Sequence, residues 1–125
     1  MVMEIKGTEY EVHFGIKFIR ELDKKYEIER ENVKFGAGLE MIVPLLLGYD
    51  ATKLSEVLYL STCTEKKRPN QESVDEYVEN HEDIEKLFTE VLEELKNSNA
   101  TRLKVKNLME DLENLEDLEN GKTVA

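Results

Sequence analysis

FGAGLEMIVPLLLGY, Phe35 to Tyr49, is the most apolar stretch of an otherwise densely charged chain. From Leu39 to Leu47 only Glu40 carries a charge. Full burial of each large aliphatic side chain here is worth roughly 1.5–3 kcal/mol, so this segment is expected to seed the core. It is too short to cross a bilayer, which takes about 20 apolar residues. Its apolar positions run nearly all the way round a helix. Such a helix is buried on most sides, or covered on one side by its own protein and on another by a partner. Pro44 has no N–H to offer the carbonyl of Glu40, which predicts a kink or break. Gly36-Ala37-Gly38 lacks the lysine and hydroxyl of a phosphate loop and the third glycine of a dinucleotide fingerprint, and reads as a flexible lead-in to the helix.

Working outward, the 125 residues are a usual size for one domain. A formal net charge of −11 disfavours nucleic-acid phosphates and anionic membrane surfaces as partners. It suits a soluble protein with a basic or neutral partner. Met1 to Ile5 has no basic region followed by an apolar run, so no signal peptide is expected, and no membrane span is seen. One cysteine, Cys63, cannot form an internal disulfide, which fits a reducing cytoplasm. It reads as a small packing residue.

On the N-terminal side, Val2 to Ile5 and Glu9 to Phe14 flank Lys6-Gly7-Thr8 and predict a β-hairpin. Met3, Ile5, Tyr10, Val12 and Phe14 alternate with polar neighbours. A lone hairpin is marginal in water, so its apolar face is expected to lie on helices. Ile16, Ile19, Leu22 and Tyr26 then mark one face of a helix, with Phe18 beside it. Lys24-Lys25 reads as solvated surface. Glu27 to Lys34 is polar and is expected to be a loop.

On the C-terminal side, Asp50 or Thr52 is expected to cap a helix carrying Leu54, Val57, Leu58 and Ser61, broadened by Tyr59 and Leu60. Charge and Pro69 close it. Val74, Tyr77 and Val78 mark a short helix. Ile84, Leu87, Phe88, Val91, Leu92 and Leu95 mark the most regular helix of the chain, with acidic residues at its start and Lys96 near its end. Asn97-Ser98-Asn99 stops it. Beyond Lys106, Leu108, Leu112, Leu115 and Leu118 keep a 4-3-3 spacing among six acidic residues with no basic one between. This fits both an amphipathic helix that needs a partner surface and a frayed acidic tail. Gly121 to Ala125 is expected to be disordered. The expected division is a domain over residues 1–106 and an acidic leucine-containing segment over 107–125. The expected fold class is α+β, mostly α: an N-terminal two-stranded hairpin packed on a bundle of about four to six helices.

No catalytic constellation stands out, so no enzyme activity and no cofactor are expected. Two histidines and one cysteine leave zinc little to bind. His81-Glu82 lacks the second histidine of a helical zinc-protease motif. The acidic end has Leu118 where a calcium loop needs an oxygen ligand. Carboxylates are plentiful, but none is marked as buried enough for acid–base work.

The order of segments says more than any motif. EIKGTEYEVHF runs into FGIKFIRELDKKY. FGAGLEMIVPLLLGYDATKLSEVLYLSTC follows, then the Pro69 break, then SVDEYVENHEDIEKLFTEVLEELKNSNATR. Over roughly residues 3 to 106 this pattern resembles the tail assembly chaperones of long-tailed phages and prophages of Gram-positive bacteria. The resemblance implies a protein that binds the apolar, helical tape measure protein before the tail tube polymerises, and keeps it soluble. It implies a location in the host bacterium's cytoplasm and absence from the mature virion. It also implies a minor longer form made by ribosomal frameshifting, with this chain as the short form. No nucleic-acid or membrane partner is implied.

A holdase for a helical client needs apolar surface with a charged surround. The candidate contact residues are Met41, Leu45 and Leu47 on the second face of the central helix, and Leu108, Leu112 and Leu115 in the acidic row. The competing reading assigns both groups to this chain's own core or to a homo-oligomer. A further alternative is an acidic regulatory or inhibitory protein of the DNA-mimic type, motivated by the charge of −11.

Overall fold

A computed structural model describes residues 1–119. The expected disorder of Gly121 to Ala125 lies outside the described residues. Among the described residues the fold is α+β and mostly α, with an N-terminal hairpin and six helices.

The N-terminal hairpin pairs β1 (Val2–Ile5) with β2 (Thr8–Glu11), Met3 opposite Tyr10 and Ile5 opposite Thr8. Its two-residue turn puts both Lys6 and Gly7 at positive φ. That is the turn whose twist matches paired strands. The chain stays extended beyond β2 but finds other partners. The Val12 N–H donates to the Met1 carbonyl at 3.0 Å, and the His13 N–H to the Ser61 carbonyl at 2.9 Å. Ser98 Oγ donates to the Phe14 carbonyl at 2.6 Å. Met3, Ile5, Val12 and Phe14 are thereby buried in the common core.

Helix α1 (Ile16–Lys25) buries Phe18 and Leu22. The chain that follows is not the loop expected over Glu27 to Lys34. It is a second antiparallel hairpin, β3 (Glu27–Arg30) with β4 (Val33–Gly36). Glu31 and Asn32 both take positive φ in its turn. The Ala37 N–H closes its base on the Tyr26 carbonyl at 2.7 Å. Ile28, Val33 and Phe35 are few apolar residues in a polar string, which hid the alternation.

Helix α2 (Gly38–Leu47) continues through Pro44 without a break. An internal proline costs about 3 kcal/mol. Leu39, Ile42, Val43 and Leu46 are all buried on this helix, and at roughly 1.5–3 kcal/mol each they outweigh that cost. Gly36-Ala37-Gly38 is not a flexible lead-in. Asp23 of α1 accepts the Gly38 N–H at 2.9 Å, so one helix caps the next. A Cβ on Gly36 would come within 2.4 Å of the Asp23 Cβ, and one on Gly38 within 2.6 Å of the Leu22 Cγ. The glycines are there for close approach.

At the end of α2 the Asp50 N–H reaches the Leu45 carbonyl and the Tyr49 N–H reaches the Leu46 carbonyl. That pairing is a Schellman closure with Tyr49, at φ 62°, in the place glycine usually takes. The Tyr49 ring leans edge-on against Phe88 at 5.4 Å. Asp50 then caps α3 (Ala51–Leu60), accepting the Lys53 N–H at 3.0 Å. Asn70 caps α4 (Gln71–Glu79) and Asp83 caps α5 (Ile84–Asn97). Arg68 ties α1 to the end of α3, with two bonds to Glu21 and its guanidinium 4.3 Å over the Tyr59 ring. Helix α6 (Arg102–Glu119) packs on α5 and α2 and crosses residue 106 without interruption.

Candidate functional site

No constellation of chemical groups dominates this molecule. Among the described residues no group of three or more His, Cys, Asp or Glu is placed to hold a metal ion. No described helix is long and apolar enough to cross a membrane. Cys63 is buried beside Glu21, and burial pushes its thiol up from the ordinary range. That makes it a poor nucleophile at neutral pH. One part-buried polar network joins Tyr26, Lys53 and Glu56. Lys53 Nζ donates to the Tyr26 hydroxyl at 2.8 Å, and that hydroxyl donates to Glu56 at 2.5 Å. Burial and the bond to Glu56 raise the Tyr26 phenol, and the bond to Tyr26 raises the Lys53 ammonium. Both keep their protons at neutral pH, so the network holds α1 to α3.

What remains is apolar surface, and the structure divides the six candidate residues. On α2, the periodicity sends Leu39, Ile42, Val43 and Leu46 inward. Met41 and Leu47 stay 46% and 41% exposed, and Leu45 is half-buried. The central helix is therefore covered on one side and partly bare on the other. Nearby, β3–β4 contributes apolar surface that the loop reading missed. Its paired residues alternate between faces, so Ile28, Val33 and Phe35 share one face with Arg30. All three apolar side chains are exposed, Phe35 by 53%. A groove of about 410 Å³ runs between this face and the start of α2, lined by Ile28, Phe35, Ala37, Glu40 and Lys104. The Lys104–Glu40 ion pair, at 3.2 Å, bridges α6 to α2 along its lining. The signal for this face was present in the sequence: Asn32 tolerates the left-handed turn, and Val33 and Phe35 alternate.

The other three candidates lie along α6. Val105 is fully buried, Leu108 is half-buried against the core, Leu112 is half-buried outside that cluster, and Leu115 is 56% exposed. At 100° per residue these four positions fall on one stripe. The stripe that packs on the body at its start is bare at its end. The α2 group and the α6 stripe lie on two separate helices that pack together and are bridged by the Lys104–Glu40 pair.

Comparison with known proteins bears on what such surfaces serve. A model of the family described as phage tail assembly chaperone protein, TAC, matches residues 2–110. No curated protein and no solved structure matches the chain.

Proposed function

Because the chain belongs to the phage tail assembly chaperone family, we propose that it binds the tape measure protein and keeps it soluble until the tail tube forms around it. The observation that carries this reading is the exposed apolar surface on a strongly acidic chain. Ile28, Val33, Phe35, Met41 and Leu47 are all exposed on α2 and the β3–β4 hairpin, and the chain as a whole carries a formal net charge of −11. Apolar side chains at a surface capture apolar helices, and surrounding charge keeps the complex in solution. Family membership supports a non-catalytic role for such a protein. It works in the host bacterium's cytoplasm and does not enter the mature virion. Residues 107–125 differ from the rest of the chain in their acidic, leucine-containing sequence, and a frameshifted longer form would carry an extension beyond them.

The test is co-expression with the tape measure protein of the same gene cluster, followed by size-exclusion chromatography with light scattering at low and high salt. The expected result is a soluble complex that survives high salt, where the client alone precipitates. A complex that dissolves as salt rises would point instead to an acidic mimic that occupies basic grooves. No complex at either salt overturns the reading.

A further inference from the structure

We propose that the C-terminal half of α6 is a docking site for a basic amphipathic helix of the client; as a statement about the client it rests on the chaperone reading above. Three observations converge on the same stretch. The first is the apolar stripe. Val105 is buried, Leu108 and Leu112 are half-buried, and Leu115 and Leu118 are more than half exposed. The helix outruns the body that covers it, so a partner helix laid beside Leu112 and Leu115 would continue the core outward.

The second is charge. From Leu108 to Glu119 there are six acidic residues and no basic one. Glu110, Asp111, Glu113, Glu116 and Glu119 form no ion pair with any described residue. By helical spacing Asp111 and Glu116 border the stripe and Glu119 closes its far end, where lysine or arginine of a partner would meet them.

The third is that α6 works against its own electrostatics. Arg102, Lys104 and Lys106 sit at its positive end and the carboxylates at its negative end, the reverse of what the helix dipole favours. Glu110–Glu113, Glu113–Glu116 and Glu116–Glu119 add like-charge pairs three residues apart. A cationic helix relieves both.

A second copy of the chain fits the stripe less well. Parallel pairing brings the carboxylates together. Antiparallel pairing needs the first turns of the other α6, where Val105 is buried and Lys104 is held by Glu40.

The test uses the full chain and a synthetic 18-residue peptide of leucine and lysine with leucines at i, i+3, i+4 and i+7, read by fluorescence anisotropy. The control peptide has glutamate in place of lysine. The wild-type chain is expected to bind the lysine peptide and not the glutamate one. Leu115→Asp, and the double variant Leu112→Asp/Leu115→Asp, should each bind at least about tenfold more weakly, a loss of about 1.4 kcal/mol. These variants add negative charge, so binding by charge alone would strengthen. Unchanged or stronger binding overturns the proposal. So does no binding by wild type, or a wild-type dimer in light scattering that Leu115→Asp abolishes. Circular dichroism checks that each variant folds, and Leu115 is open enough for its substitution to be tolerated. In co-expression, a double variant that holds the tape measure protein as wild type does overturns this site and leaves the chaperone reading. A wild-type chain that binds the peptide but holds no tape measure protein does the reverse.

Discussion

Helices α2 and α6 both carry rows of leucine, and they meet opposite fates. α2 has the poorer helical credentials. It contains Pro44, its apolar residues follow no clean stripe, and no side chain of its own caps it. Yet half of it is buried, because α1 reaches it with Leu22 and caps it with Asp23, and the glycines before it allow that approach. α6 has regular spacing and eighteen residues, and buries only Val105 completely. Regular spacing shows that a helix has an apolar face. Whether the face is covered depends on what other segments bring to it.

The strongest way to break this comparison is to truncate one leucine from each row. Leu46→Ala on α2 removes a fully buried side chain and is expected to cost about 2–5 kcal/mol by urea denaturation. Leu115→Ala on α6 should change stability by no more than about 0.5 kcal/mol while weakening client capture. Equal costs for the two would mean that α6 is covered after all.

The junction that buries α2 gives the next largest effect. Gly36→Ala drives a methyl group into the Asp23 side chain and backbone-adjacent atoms, and overpacking of this kind costs about 1–3 kcal/mol. An unchanged melting temperature would show that α1 can yield there. Asp23→Ala instead removes the cap on the Gly38 N–H, with an expected loss of about 0.5–2 kcal/mol. Amide exchange at the first turn of α2 should quicken in that variant and stay unchanged in α6.

The smallest effect sharpens the same contrast through pH. The Tyr26 phenol is raised in the folded chain by burial and by its bond to Glu56. A raised acid stabilises the fold fully below the ordinary tyrosine value of 10.0, and that contribution is lost as pH rises through the raised value. Alkaline titration should therefore loosen the α1–α3 contact. Tyr26→Phe should flatten that part of the stability profile, and a profile identical to wild type would remove Tyr26 from the account.

Much of this was legible in the chain itself. The alternation through Met3 and Ile5 gave the first hairpin, and the periods of Val74–Val78 and Leu87–Leu95 gave their helices. Asp50 caps α3 as expected, and Asp83, one of the acidic residues read at the start of α5, serves as its cap. Each of these is a local matter, settled by the spacing of neighbours along one segment. The segment order carried the family resemblance, which the family match over residues 2–110 bears out. β3–β4 was missed because three apolar residues in ten leave a weak alternation, and what anchors the hairpin is the Tyr26–Ala37 bond at its base.

The sequence by itself determined the first hairpin and the helices up to α5, and the apolar face of those with regular spacing, because backbone geometry converts residue spacing directly into faces. Only the tertiary structure decided that Leu46 is enclosed while Met41, Phe35 and Leu115 are open, and that Gly36 and Gly38 serve contact rather than flexibility. Burial belongs to pairs of segments distant in the chain. No period within one segment records what its partner covers.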